Sequence, residues 1–231
     1  ARALARKTYN AGAGADLALF IYWAKQRFKE LPLYMMGHSL GGTAALNMAL
    51  DHPAVTKGLA GLVTVGAPID MKATARKFHR PRNWPYLRYM LAGMKQIVAT
   101  TPHIEQRYVD AAMRATNIFT FDDQVTAPLA GHQDASSYYT ATSVHQRLSQ
   151  LTIPTLIIQS TNDPWVPSEP CLEQPCGKGL PAIVVTNNGG HVGFHDREGS
   201  WYIRATLAWI SAQLDLPQTS TNCFNQTADT T

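Results

Sequence analysis

Cysteine is scarce in this chain, three in 231 residues, which excludes a dense disulfide framework. Charge is sparse too. Charged residues make up 16% of the chain, with a net charge of +4 and a pI near 9.0. That excess is too small to point to a nucleic-acid partner. The longest strongly apolar run, Leu17–Trp23, falls far short of the roughly 20 residues that span a bilayer. No signal-peptide pattern opens the chain, so it reads as cytoplasmic, with peripheral membrane contact left open. No internal repeat or low-complexity tract is visible. What is present is 45% hydrophobic residues. That is a globular composition at a length suited to one well-cored domain with a lid or cap.

Hydropathy periods sketch the elements. Asp16–Glu30 places Leu17, Phe20, Ile21, Ala24 and Phe28 on one helical stripe. Leu31–Met36, ending at Gly37, predicts a buried strand, and Leu40–Ala49 predicts a helix stopped by Pro53. Leu59–Val65 predicts a second buried strand, closed by Gly66-Ala67-Pro68. Thr155–Gln159 and Ala182–Thr186 predict a third and a fourth. Trp201–Leu214 predicts an amphipathic helix with Ile203, Leu207, Ile210 and Leu214 on its apolar side. Ile69–Leu151 has helical patches and no clear strand. It is too long for a plain loop in a compact domain and predicts an inserted helical cap at about 70–151. The domain is expected over 1–217, with a disordered tail at 218–231. Strands alternating with helices imply a parallel sheet and an α/β fold, whose ligand sites lie at the carboxyl ends of strands.

After the first strand stands Gly37-His38-Ser39-Leu40-Gly41-Gly42. A G-x-S-x-G pattern between a strand and a helix is a nucleophile elbow. The glycines let strand and helix approach, and the serine hydroxyl projects from a sharp turn. The Leu40 N–H, at the helix N-terminus, is placed to stabilise an oxyanion. A random chain of this length holds the pattern roughly 0.1 times, and the flanking elements reduce that further.

A serine hydroxyl needs a base, and the base needs an orienting acid. After the third strand comes Ser160-Thr161-Asn162-Asp163-Pro164, which makes Asp163 the acid candidate; a plain turn is the alternative. After the fourth comes Asn187-Asn188-Gly189-Gly190-His191, which makes His191 the candidate base. His195 is its nearest rival, further from the strand end. The order serine, acid, histidine is that of α/β-hydrolases.

These segments together resemble the AB-hydrolase 4 branch of the α/β-hydrolase superfamily. That branch holds predicted bacterial esterases and eukaryotic membrane-associated phospholipases and acyltransferases. The resemblance rests on GHSLGG at 37–42, FDDQVTAPLAGHQDASSYYTATS at 121–143, IPTLIIQSTNDPWVP at 153–167 and NNGGHVGF at 187–194. Tyr9–Phe28 resembles the helix before the elbow strand, and the likeness runs to about Leu214. It implies an α/β-hydrolase fold with an inserted helical cap and Ser39, Asp163 and His191 as the catalytic set. The implied activity is a serine esterase or lipase acting through an acyl-enzyme, on a short- or medium-chain acyl ester or a lipid. An acyltransferase using the same set, and a non-catalytic binding protein on the same fold, are the alternatives. No metal or organic cofactor is implied. Phe121-Asp122-Asp123 reads as a structural feature of the branch, because two carboxylates without a third ligand make a poor metal site.

The chain also departs from that pattern. Only 36 residues precede Gly37, and no His-Gly dipeptide occurs to supply the family's second oxyanion donor. The expectation is the C-terminal two-thirds of the domain, the alternative being a genuinely shortened hydrolase that supplies the second donor from elsewhere. Leu33–Met36 should then lack a strand neighbour on one side, and the chain alone should be poorly soluble and nearly inactive. Other signals stay open. Arg76, Lys77, His79, Arg80, Arg82 and Arg88, with Trp84, Tyr86 and Tyr89 among them, form either a solvated cap face or a patch for an anionic lipid surface. Tyr138 and Tyr139 line an acyl pocket or belong to the core. Cys171 and Cys176 read by default as two free thiols, with a disulfide left open and zinc unsupported.

Overall fold

The computed structural model describes residues 8–215. The expected tail at 218–231 lies outside them. The described residues form two compact units, 11–70 with 144–215, and 8–10 with 71–143.

The first unit is built on four parallel strands in the order β1-β2-β3-β4: Leu33–His38, Leu59–Val65, Thr155–Ser160 and Ala182–Thr186. Helices α1 (Gly14–Arg27), α2 (Leu40–Asp51) and the short α3 (Pro53–Thr56) accompany the first two strands. Pleating divides the sheet between two cores. Leu62, Ile157, Ile183 and Val185 pack with Ala18, Ile21, Leu46 and Met48 of α1 and α2. Val63, Val65, Leu156 and Ile158 pack with Trp209 and Phe194 on the other face.

Two helix faces differ from their hydropathy stripes. On α1 the buried positions are Gly14, Ala18, Ile21 and Ala24, while Phe20 and Phe28 are exposed. Small residues win because the helix lies close on α2: a Cβ at Gly14 would stand 3.1 Å from the Met48 backbone. On the C-terminal helix, Trp201–Asp215, the buried residues are Thr206 and Trp209, and Ile203, Leu207 and Leu214 are exposed. Trp209 fits because Gly61 leaves it room; a Cβ there would lie 2.8 Å from the indole. β1 also differs from the expected buried strand. Leu33, Tyr34 and Met35 are half-buried and Met36 is exposed, because among the described residues β1 pairs with β2 alone.

The second unit is helical. It comprises α4 (Met71–Phe78), α5 (Trp84–Thr100), α6 (Gln106–Arg114), α7 (Ile118–Phe121), a π-helical turn (Asp122–Thr126), α8 (Ala127–Ala130) and α9 (Ala135–Thr142). Its core holds Leu91, Val98, Ala112, Phe121 and Val125. Asp123 accepts from the Ala135 N–H at 3.0 Å, at the start of α9. Asp134 and Ser137 form a reciprocal capping box on that helix. Asp122 is buried and accepts from the Tyr139 hydroxyl at 2.7 Å. Burial lifts its carboxyl to about 6, and desolvation together with Asp122 pushes the Tyr139 phenol upward. The two aspartates thus tie the π turn to α9. Tyr138 and Tyr139 are both buried in this unit. Two further elements follow β3 in the first unit, α10 (Glu169–Leu172) and α11 (Trp201–Asp215), the latter after a small antiparallel hairpin of His195–Asp196 with Gly199–Ser200. Cys171 is a buried free thiol, and burial raises it to about 12. No described helix is long and apolar enough to cross a membrane.

Candidate active site

Ser39 occupies the turn between β1 and α2 with φ 51° and ψ −130°. A residue with a Cβ held in such a conformation costs on the order of 1–3 kcal/mol. Its neighbours enforce it. The Ser39 N–H donates to the Val65 carbonyl at 2.9 Å. A Cβ on Gly37 would stand 2.7 Å from the Gly41 oxygen, and one on Gly42 would stand 2.7 Å from the Ala67 Cβ. Only glycines let strand and helix meet this closely. The turn leaves the Ser39 side chain half-exposed. Leu40 follows as the first residue of α2, where the helix itself offers an N–H no acceptor.

The structure brings Ser39 together with both other predicted residues. His191 Nε2 lies 2.7 Å from Ser39 Oγ, and His191 Nδ1 lies 2.8 Å from Asp163 Oδ2. The Asp163 side chain is fully buried. Its Oδ1 accepts from the N–H groups of Trp165 at 2.8 Å and Val166 at 2.9 Å. Gln159, buried on β3, offers its amide to Oδ2 at 3.4 Å. With both oxygens engaged, the carboxylate is fixed in orientation. An imidazole donating from Nδ1 to Asp163 presents the Nε2 lone pair to the serine hydroxyl. All three residues sit beyond the carboxyl ends of strands, where the fold class places its ligand sites. His195, the rival base, is exposed in the hairpin.

Several contributors carried no motif. Gly66 ends β2 with φ 61°, and a Cβ there would stand 2.3 Å from the His191 carbonyl oxygen. Trp165 sets its ring edge-on to His191, with centroids 4.7 Å apart. Asn162 Oδ1 accepts from the Gly190 N–H at 2.8 Å and from the Ser160 hydroxyl, and its amide donates to Asn188 Oδ1 at 3.3 Å. The Thr161 hydroxyl donates to the Asn187 carbonyl at 3.2 Å. These bonds lace the loop after β3 to the loop after β4. The one signal in the sequence was glycine at a strand end, for Gly66. The Asn162 contacts depend on pairing across the sheet, where Ser160 stands opposite Thr186.

A serine, histidine and aspartate aligned at the carboxyl edge of a parallel α/β sheet, serine on the strand-to-helix elbow, is the layout of an α/β-hydrolase. The family model described as serine aminopeptidase, S33, matches residues 12–177, and the chain belongs to that α/β-hydrolase family. Phospholipase ABHD3 of Mus musculus is 30% identical over 203 residues, covering 86% of this chain and 48% of that protein. Monoacylglycerol lipase of Saccharomyces cerevisiae is 25% identical over 205 residues, covering 84% of this chain and 45% of that protein. The chain thus spans about half the length of the curated relatives it matches. The crystal structure of Paleococcus ferrophilus monoacylglycerol lipase superposes with a TM-score of 0.51 at 19% identity, covering 89% of this chain and 78% of that one. At that identity the likeness speaks to the fold alone.

Proposed function

We propose that the protein is a serine-dependent carboxylic ester hydrolase acting on a lipid or other acyl ester. The observation that carries this reading is the continuous line from Ser39 Oγ through the His191 imidazole to Asp163, at 2.7 and 2.8 Å. The names of the two curated relatives, a phospholipase and a monoacylglycerol lipase, favour lipid esters over the peptides that the family description names.

In this mechanism Ser39 Oγ attacks the ester carbonyl carbon while its proton passes to His191 Nε2. Asp163 holds the imidazole in the required tautomer and balances the imidazolium that forms. Negative charge on the carbonyl oxygen is met by the Leu40 N–H at the head of α2. Collapse breaks the carbon–alkoxide bond, and the leaving alcohol takes the proton from His191. Water then attacks the acyl-serine, giving its proton to His191, and the carboxylic acid leaves as Ser39 regains a proton. An alcohol in place of water would give acyl transfer with the same groups. Hydrolysis is preferred because water is always present and no acceptor site is marked.

A fluorophosphonate probe tests the assignment directly. It should label the full-length protein at Ser39, and labelling should vanish in Ser39→Ala and drop by more than about 100-fold in His191→Ala. Labelling that persists in Ser39→Ala overturns the reading. Product analysis with an excess of short alcohol separates the two acceptors, and predominant transesterification would replace hydrolysis.

A further inference from the structure

We infer that the segment from Arg80 through the first turns of α5 is a docking surface for an anionic lipid bilayer. The argument begins with charge. No Asp or Glu occurs between Asp70 and Glu105, while that stretch holds seven Lys and Arg. A helical surface kept soluble by charge alone mixes both signs, so that neighbours at i and i+4 pair. Here Arg80, Arg82 and Arg88 are all exposed, and none of them forms an ion pair among the described residues.

The second observation is what lies between those cations. Helix α5 buries Leu87, Leu91 and Val98, the last two in the core of its own unit. Its outer side should therefore be polar. Instead it carries Trp84, Pro85, Arg88, Tyr89 and Ala92, all exposed. Trp84 is 62% and Tyr89 76% exposed, so neither ring serves mainly as core. The Arg88 guanidinium lies over the Trp84 ring, 5.2 Å from its centroid. That stacking leaves the guanidinium edge free to donate to phosphate while the indole presents an apolar face. Indole and phenol rings are the side chains that settle at headgroup depth, and arginines beside them meet anionic lipid.

Charge complementarity selects the occupant. A negatively charged bilayer offers both partners this surface asks for, acidic headgroups for the arginines and an interfacial layer for the rings. Single-stranded nucleic acid would also accept stacking and cations, but the chain as a whole carries only +4, and the rings stand among the exposed Pro81, Pro85 and Ala92, which suit an interfacial layer better than a phosphate backbone. The inference is independent of the ester chemistry. It concerns where the protein sits, and binding is measured without turnover.

The experiment is vesicle flotation of the full chain, in which bound protein rises with the vesicles and self-associated protein stays at the bottom of the gradient. The vesicles are phosphatidylcholine alone and phosphatidylcholine with phosphatidylserine. Binding is expected to the mixed vesicles, to weaken as salt is raised, and to be unchanged in Ser39→Ala. Each cation near such a surface is worth about a factor of five, so the triple variant Arg80→Glu, Arg82→Glu and Arg88→Glu should weaken binding roughly 100-fold or more. Trp84→Ala with Tyr89→Ala should weaken binding to mixed vesicles by about 10-fold or more. All changed side chains are exposed, and matching thermal melting curves establish that the variants remain folded. The inference is overturned if the wild-type chain ignores mixed vesicles, if either variant set binds as wild type does, or if a single-stranded oligonucleotide is bound while vesicles are not. Complete displacement by millimolar inorganic phosphate would likewise replace the bilayer with a free-anion site.

Discussion

At the scale of the residue, Asn162 connects the two loops of the candidate site without a place in the proposed chemistry. Its one carbonyl oxygen accepts from the Gly190 N–H, immediately before His191, and from the Ser160 hydroxyl, just after β3. Asn162 is itself exposed, so its removal should cost little stability and act through the placement of His191. Asn162→Ala should slow fluorophosphonate labelling by about 10-fold, the scale of one lost hydrogen bond. The unfolding midpoint should shift by no more than a few degrees. Asn162→Asp keeps the acceptor and should recover most of the labelling rate. If Asn162→Ala loses stability and labelling in proportion, Asn162 is merely structural. The grouping of Ser39, Asp163 and His191 was legible because each member follows a predicted strand and one carries a pattern. Asn162 and Gly66 were not, because their roles exist only once β3 and β4 are in register and β2 ends beneath His191.

At the scale of the element, the π turn and α9 show how a sequence motif is spent on structure. Asp123 satisfies the Ala135 N–H and Asp122 receives the Tyr139 hydroxyl. The Asp122 carboxyl is raised to about 6 from an ordinary value near 4, with burial the first cause. The sign follows from proton counting. Between about pH 4 and 6 the unfolded chain has lost this proton and the folded chain still holds it, so stability falls as pH rises through that window. Two pKa units correspond to roughly 3 kcal/mol. Asp122→Asn keeps an acceptor for Tyr139 and has no charge to bury. Urea unfolding at several pH values should show this variant gaining on the wild type from pH 4 to 6, then holding a constant lead. Parallel stability curves would remove Asp122 as the source.

At the scale of the whole molecule, the question is what the exposed apolar surface does. β1 has β2 as its single partner among the described residues. Leu19, Phe20, Tyr22 and Trp23 of α1 are each more than half exposed, and so are Leu207 and Leu214 of α11. An open strand edge with uncovered apolar helix faces invites association. The isolated 231-residue chain should therefore self-associate in sedimentation velocity, and Leu19→Lys with Trp23→Lys should shift it toward monomer. A monomeric wild-type chain at tens of micromolar would show that the edge is no liability.

The sequence by itself determined the strand segments, the elbow, the order of Ser39, Asp163 and His191, and a helical stretch between the second and third strands. Those features are local: a period, a turn residue, a spacing. It marked an apolar side on α1 and α11, and that reading held only in part: Ile21 and Ala24 are buried and Ile210 packs on the core, whereas Phe20, Phe28, Ile203, Leu207 and Leu214 are exposed. Hydropathy records which residues gain from burial, whereas the neighbours decide which are covered. Gly14 against Met48 and Trp209 over Gly61 are contacts between segments far apart in the chain, fixed by close packing and strand register. The 2.7 Å approach of His191 to Ser39 is of the same kind. It spans 152 residues and exists because a parallel sheet brings the ends of β1, β3 and β4 to one edge.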